Sequence, residues 1–221
     1  MAFEREMEHE VRIPILSDDV NLSGSLYIPE TAQGLVLFVH GSGSSRFSPR
    51  NRFVAQYLNN GAYATLLFDL LTRSEEAADL ISANLRFDID LLARRLSAAS
   101  DWVASQPDLK TLPLGYFGAS TGAAAAISAS VGRTDVKAIV SRGGRPDMAG
   151  IDLGRISAPI LLIVGGDDYQ VLELNRRALE AIRVPAKKLE IVPGATHLFE
   201  EPGALDEVAR LAVDWYIQYL H

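Results

Sequence analysis

Residues 112–131 read LPLGYFGASTGAAAAISASV. The apolar run from Leu112 to Phe117 suits a buried strand, and it stops at Gly118-Ala119-Ser120-Thr121-Gly122. The alanines that follow, with Ile127, have nearly the highest helix propensity available. Strand, tight turn, helix is the setting in which G-x-S-x-G carries chemistry. The central serine sits at a strained turn, and glycines two residues to either side leave no side chains to collide. Such a turn lifts the Ser120 hydroxyl above the sheet. The Thr121 amide then heads a helix whose positive dipole end faces any anion formed there. A plainer reading makes Ser120 only the N-cap of a small-residue helix, so the rest of the chain has to decide.

Bulk properties narrow the field. At 221 residues, 48% hydrophobic and 22% charged, the chain can bury one core, and a single domain over 1–221 is expected. A net charge of −7 with no basic run argues against nucleic acid and anionic membrane as partners. Cysteine is absent, which removes disulfides, thiolate zinc sites and a cysteine nucleophile together and fits a reducing compartment. The N-terminal MAFEREMEHEVRI is charged where a secretory signal would be basic and then apolar, and no apolar run approaches membrane-spanning length. The expectation is a cytoplasmic protein, monomer or homodimer, acting on a small molecule without a cofactor or metal.

Outward from the elbow, the pattern alternates. Residues 8–15 and 20–28 read as two antiparallel strands joined at Ser17-Asp18-Asp19. From Gly34 the pattern changes: 35–39 is continuously apolar, as a parallel strand covered on both faces must be, 160–164 is another buried run, and 62–68, 136–140 and a shorter 188–192 also read as strands. Helical spacing fills the gaps. Pro49 opens one helix, the apolar positions Leu85, Ile89, Leu92, Leu96, Ala99 and Val103 predict one long helix, and two more cover 172–182 and 205–219. Residues 70–84 have no strong pattern and read as a loop and a short acidic helical turn. Trp102 and Trp215 fall on amphipathic helices and read as core. The predicted fold is α/β: a doubly wound, mostly parallel sheet of about eight strands, the first two antiparallel.

Ligands of such sheets bind beyond the carboxyl ends of the strands. A serine nucleophile needs a base, usually a histidine oriented by a carboxylate. Of the four histidines, His9 lies in an edge strand, His221 ends the chain and His40 belongs to the loop after the third strand. His197, just past the last strand, remains as the base. The carboxylate comes from Gly165-Gly166-Asp167-Asp168, where one aspartate faces the histidine and its neighbour turns away. The pair could otherwise serve as a helix N-cap. A second oxyanion donor follows the third strand in His40-Gly41-Ser42-Gly43, with the Ser42 amide beside that of Thr121. A phosphate cradle there lacks Gly-Lys-Ser/Thr, and Arg46 stands where G-x-G-x-x-G needs glycine. Arg142 and Arg145, flanking Gly143-Gly144, could clamp a substrate carboxylate or be surface arginines.

The stretches LVLFVHGSGSS, GYFGASTGAAAA, LLIVGGDDYQV and PGATHLFEEPG, spread over nearly the whole chain, resemble the α/β-hydrolases and, more narrowly, their small dienelactone-hydrolase-like branch. The resemblance implies the acid is Asp168, the aspartate of G-G-x-D-x-x-V. It implies a fold without a cap domain, since residues 141–159 hold little more than a loop and a turn. One departure stands out: dienelactone hydrolase is known for a cysteine nucleophile, where this chain has Ser120. An ester or lactone, cleaved through an acyl-enzyme by Ser120, His197 and Asp168, is the expected substrate. Thioester hydrolysis or acyl transfer would use the same groups, and a non-catalytic binding protein could share the fold.

Overall fold

The computed structural model describes residues 3–221; the first two residues of the expected 1–221 domain lie outside the described residues. The chain runs β1 (Glu8–Ile15), β2 (Val20–Tyr27), β3 (Gly34–Val39), α1 (Pro49–Asn60), β4 (Tyr63–Phe68), α2 (Arg73–Ser82) and α3 (Ile89–Ser105). It continues through β5 (Leu114–Ala119), α4 (Thr121–Ser130), β6 (Val136–Arg142), β7 (Ile160–Gly165), α5 (Tyr169–Ala181), β8 (Lys187–Val192) and α6 (Ala204–Tyr219). The eight strands form one sheet in the order β1-β2-β4-β3-β5-β6-β7-β8. β1 pairs with β2, and β2 with β4, antiparallel; every other pairing is parallel.

Continuous apolar runs have the expected cause. Every residue of β3, β4, β5 and β7 is buried, because helices cover both faces. Along β3, Leu35, Leu37 and Val39 join the core shared with α3 and α4, whereas Val36 and Phe38 join the core shared with α1 and α6. Trp215 lies inside the second core and Trp102 packs against the first. Between β6 and β7 there are only 3-10 turns over Pro146–Gly154, interrupted at Gly150, so no cap domain stands over the sheet.

Two local expectations are corrected. The helix predicted through Leu85 is divided: a 3-10 turn holds Leu85–Phe87, and Asp88 caps α3 by accepting from the Leu91 amide at 3.0 Å. Apolar periodicity continues across the break because both pieces face the same core, and periodicity alone does not register a cap. Residues 73–82 form a ten-residue helix, longer than the short helical turn expected there. Thr72 and Glu75 close a reciprocal capping box at its start.

Candidate active site

Sheet order sets the location. From β3 the chain winds towards β4, and from β5 towards β6, so the order reverses between β3 and β5 and opens a crevice beyond their carboxyl ends. The loop after β3 and the turn after β5 meet there.

Ser120 has φ 51° and ψ −122°, a conformation that costs about 1–3 kcal/mol for a residue with a side chain and persists only where its surroundings enforce it. The enforcement is visible. A Cβ on Gly122 would lie 2.1 Å from the Val39 carbonyl oxygen, and one on Gly118 would lie 2.5 Å from the Ala123 Cα. The elbow helix is therefore pressed against the end of β3 at a distance only glycine allows. Ser120 stands at the N-cap position of α4, yet its side chain makes no capping hydrogen bond. Its hydroxyl is left to the crevice.

His197 arrives in the loop between β8 and α6. Its Nδ1 lies 2.6 Å from Asp168 Oδ2. A carboxylate only accepts, so Nδ1 carries the proton and Nε2 is left as the basic atom. Asp168 is at the N-cap of α5 but makes no capping bond there; its side chain, 14% exposed, is given to the histidine. Asp167 is exposed and reaches only the Tyr169 hydroxyl at 3.4 Å. Two glycines let the histidine loop settle: a Cβ on Gly165 would fall 2.3 Å from the Ala195 carbonyl oxygen, and one on Gly143 would fall 3.1 Å from that of His197. Phe199, at φ 55° and fully buried, pins the loop from the other side.

Ser120, His197, Ser42, Arg142, Ser48, Arg50 and Asn51 line one cleft of about 220 Å³. Among the described residues no hydrogen bond joins Ser120 to His197, as is common before a substrate tightens the geometry. The Thr121 amide heads α4, where no carbonyl four residues back is available to it. The Ser42 amide, expected from the sequence as a second oxyanion donor, donates to Thr121 Oγ1 at 2.9 Å. His40, buried, holds the same loop: Nδ1 lies 3.0 Å from the Gly41 carbonyl and Nε2 accepts from the Leu70 amide at 3.1 Å. Burial pushes its pKa below the usual imidazole value.

The two arginines part company. Arg145 does not line the cleft; its guanidinium makes a two-pronged pair with Asp147 at 2.9 and 2.8 Å. Arg142 does line it and is only 8% exposed. Burial, with Arg50 adding like charge nearby, pulls its pKa down to about 10. Ser48, Arg50 and Asn51 went unnoticed in the sequence, where they read only as the start of a helix.

The dienelactone hydrolase family model matches residues 22–218. The chain belongs to the dienelactone hydrolase family. A dienelactone hydrolase from Anabaena variabilis is 53% identical, with a TM-score of 0.94 over 97% of this chain and 99% of that one. A Pyrococcus furiosus esterase shares the fold at 19% identity and a TM-score of 0.77, covering 97% of this chain and 94% of its own. A Mycobacterium tuberculosis protein, provisionally named a phosphoribosyl transferase, is 56% identical over 94% of this chain but only 46% of its own length. The chain thus spans about half the length of that curated relative.

Proposed function

We propose that this dienelactone hydrolase family member is a cofactor-independent serine hydrolase of carboxylic esters or lactones, acting through an acyl-enzyme. The observation that carries the reading is Ser120, held at a strained elbow in the same cleft as a histidine bonded to a buried-side aspartate. Ser120 Oγ attacks the carbonyl carbon and its proton passes to His197 Nε2. The carbonyl electron pair becomes an oxyanion received by the Thr121 amide, joined by the Ser42 amide as that amide leaves the Thr121 hydroxyl. Collapse breaks the ester C–O bond, and the departing alkoxide takes the proton from His197. Water, deprotonated by the same nitrogen, then attacks the acyl carbon and releases the acid and Ser120. Asp168 keeps Nδ1 protonated throughout and steadies the imidazolium.

On this reading the chain works as one α/β-hydrolase unit on a small molecule. The transfer named for the Mycobacterium relative is left to the part of that protein outside the match. A fluorophosphonate probe with peptide mapping is the direct test, and the label is expected on Ser120. Ser120→Ala should lower hydrolysis of p-nitrophenyl acetate by about 10³-fold or more with an unchanged circular dichroism spectrum. A label on another residue, or an alanine variant keeping most of its activity, would sink the assignment.

A further inference from the structure

The floor of the cleft holds more positive charge than the protein neutralises. Arg142 projects from the end of β6, and only its Nη2 finds a partner, Asn51 Oδ1 at 3.3 Å. Its Nε and Nη1 are buried without an acceptor. Arg50, in the first turn of α1, sits near enough to oppose the Arg142 charge, and its own Nε is buried and unpartnered as well. Among the described residues the one carboxylate paired with either arginine is Glu200, 3.1 Å from Arg50 Nη1 and 65% exposed, a solvent-screened pair that offsets little. A guanidinium kept for structure is bonded to carboxylates or carbonyls. Arg95, buried in this same protein, bonds Asp18, Glu75 and the Leu70 carbonyl. Arg142 has no such set, and a buried cation short of partners is costly unless something completes it.

What would complete it is an anion of a particular kind. Guanidinium forks match phosphate and carboxylate oxygens in pairs. Ser48, Arg50 and Asn51 bring the N-terminal turn of α1 to the same wall, a turn with no acidic side chain. Pro49 has no amide hydrogen, Ser48 Oγ accepts from the Asn51 amide at 3.4 Å and the Ser48 carbonyl from the Arg52 amide at 2.9 Å, so it is the helix dipole that favours negative charge there. Two guanidiniums and a helix N-terminus together exceed what a single negative charge balances. We infer that this floor is an anion subsite, and that the substrate is a compact ester bearing a phosphate-class dianion, held by Arg142 and Arg50 while its ester carbonyl meets Ser120. The cleft, about 220 Å³, suits a small molecule of this kind. The ester half of the inference rests on the hydrolase reading; the anion half does not.

Three acetate esters of matched size separate the possibilities: 2-acetoxyethyl phosphate, 3-acetoxypropanoate and 2-methoxyethyl acetate. The phosphate ester should show the highest kcat/KM, and Arg50→Gln and Arg142→Met should each shrink its advantage over the neutral ester by about 10-fold or more. Arg142→Met should also raise the unfolding temperature, since it removes a buried charge without partners; a lowered one would assign Arg142 a structural role and overturn the inference. Arg50→Gln, at a half-buried position, reads the same ratio without touching the buried cation. Calorimetry of methyl phosphate with the Ser120→Ala protein reads the subsite without chemistry, and binding should weaken when Arg50→Gln is added. Equal rates on all three esters with no methyl phosphate binding would remove the subsite and leave the hydrolase. Methyl phosphate binding with no ester cleaved would remove the hydrolase and leave the subsite. A preference for the propanoate would overturn the dianion.

Discussion

Adjacent aspartates at the end of β7 have different surroundings. Asp168 lies 2.6 Å from His197 Nδ1, whereas Asp167 points to solvent. Asp168→Asn can present an amide NH₂ to Nδ1 and so favour the wrong imidazole tautomer, leaving Nε2 protonated and unable to accept. A loss of about 10³-fold or more in kcat/KM for p-nitrophenyl acetate is expected from that change, and less than about 10-fold from Asp167→Asn, which removes only a long bond to Tyr169. Steady-state kinetics of the two variants give the ranking, and an inverted one would move the acid to Asp167. The sequence alone separated these two residues only through family resemblance, because an aspartate pair at a strand end carries no sign of which side chain turns inward. Ser120 was more legible, since G-x-S-x-G between an apolar run and an alanine run leaves few other uses for both glycines.

Single elements show where reading the sequence stops short. Apolar runs located β3 to β7 within a residue or two, because burial on both faces leaves little room for polar positions, Thr65 and Lys137 being exceptions. Helix α2 was read only as a short acidic helical turn although Thr72-Arg73-Ser74-Glu75 spells its capping box; the apolar stripe that usually draws attention is absent, with Leu80 and Ile81 exposed. Ser48, Arg50 and Asn51 gave no signal either, since their meeting with β6 depends on how α1 lies across the sheet. The loop after β3 is bound to the end of β4 by His40, and that bond is pH-sensitive. Nε2 can accept from Leu70 only while unprotonated. Because burial lowers the folded-state pKa of His40 below 6.5, the unfolded chain takes up the proton first as the pH falls. Stability from this group is therefore present at neutral pH and is lost as the pH drops below about 6.5. Urea midpoints between pH 7.5 and 5 should fall for the native protein, and less steeply for His40→Asn, which is expected to be less stable at pH 7.5. Parallel slopes would show that His40 does not couple folding to protons.

Across the whole molecule, one buried cation ties distant segments together. Arg95 reaches from α3 to Asp18 in the β1–β2 turn at 3.0 Å, to the Leu70 carbonyl after β4 at 2.8 Å, and to Glu75 in α2 at 2.6 Å. Removing it would leave carboxylates facing a void, so Arg95→Ala should cost about 3–5 kcal/mol, read from urea unfolding, with α2 the first element to lose amide protection in hydrogen exchange. A loss under about 1 kcal/mol would mean that solvent already satisfies those carboxylates. The elbow presents the opposite case, in which backbone and not charge sets the limits. With Gly122 pressed against the Val39 carbonyl and Gly118 against Ala123, the positions on either side of the nucleophile have no freedom to vary, while position 120 itself opens on the cleft. On the proposed reading, sulfur could therefore stand for oxygen at position 120 without disturbing the frame that aims it. The side chain at position 120 is replaceable, and the two glycines that frame it are not.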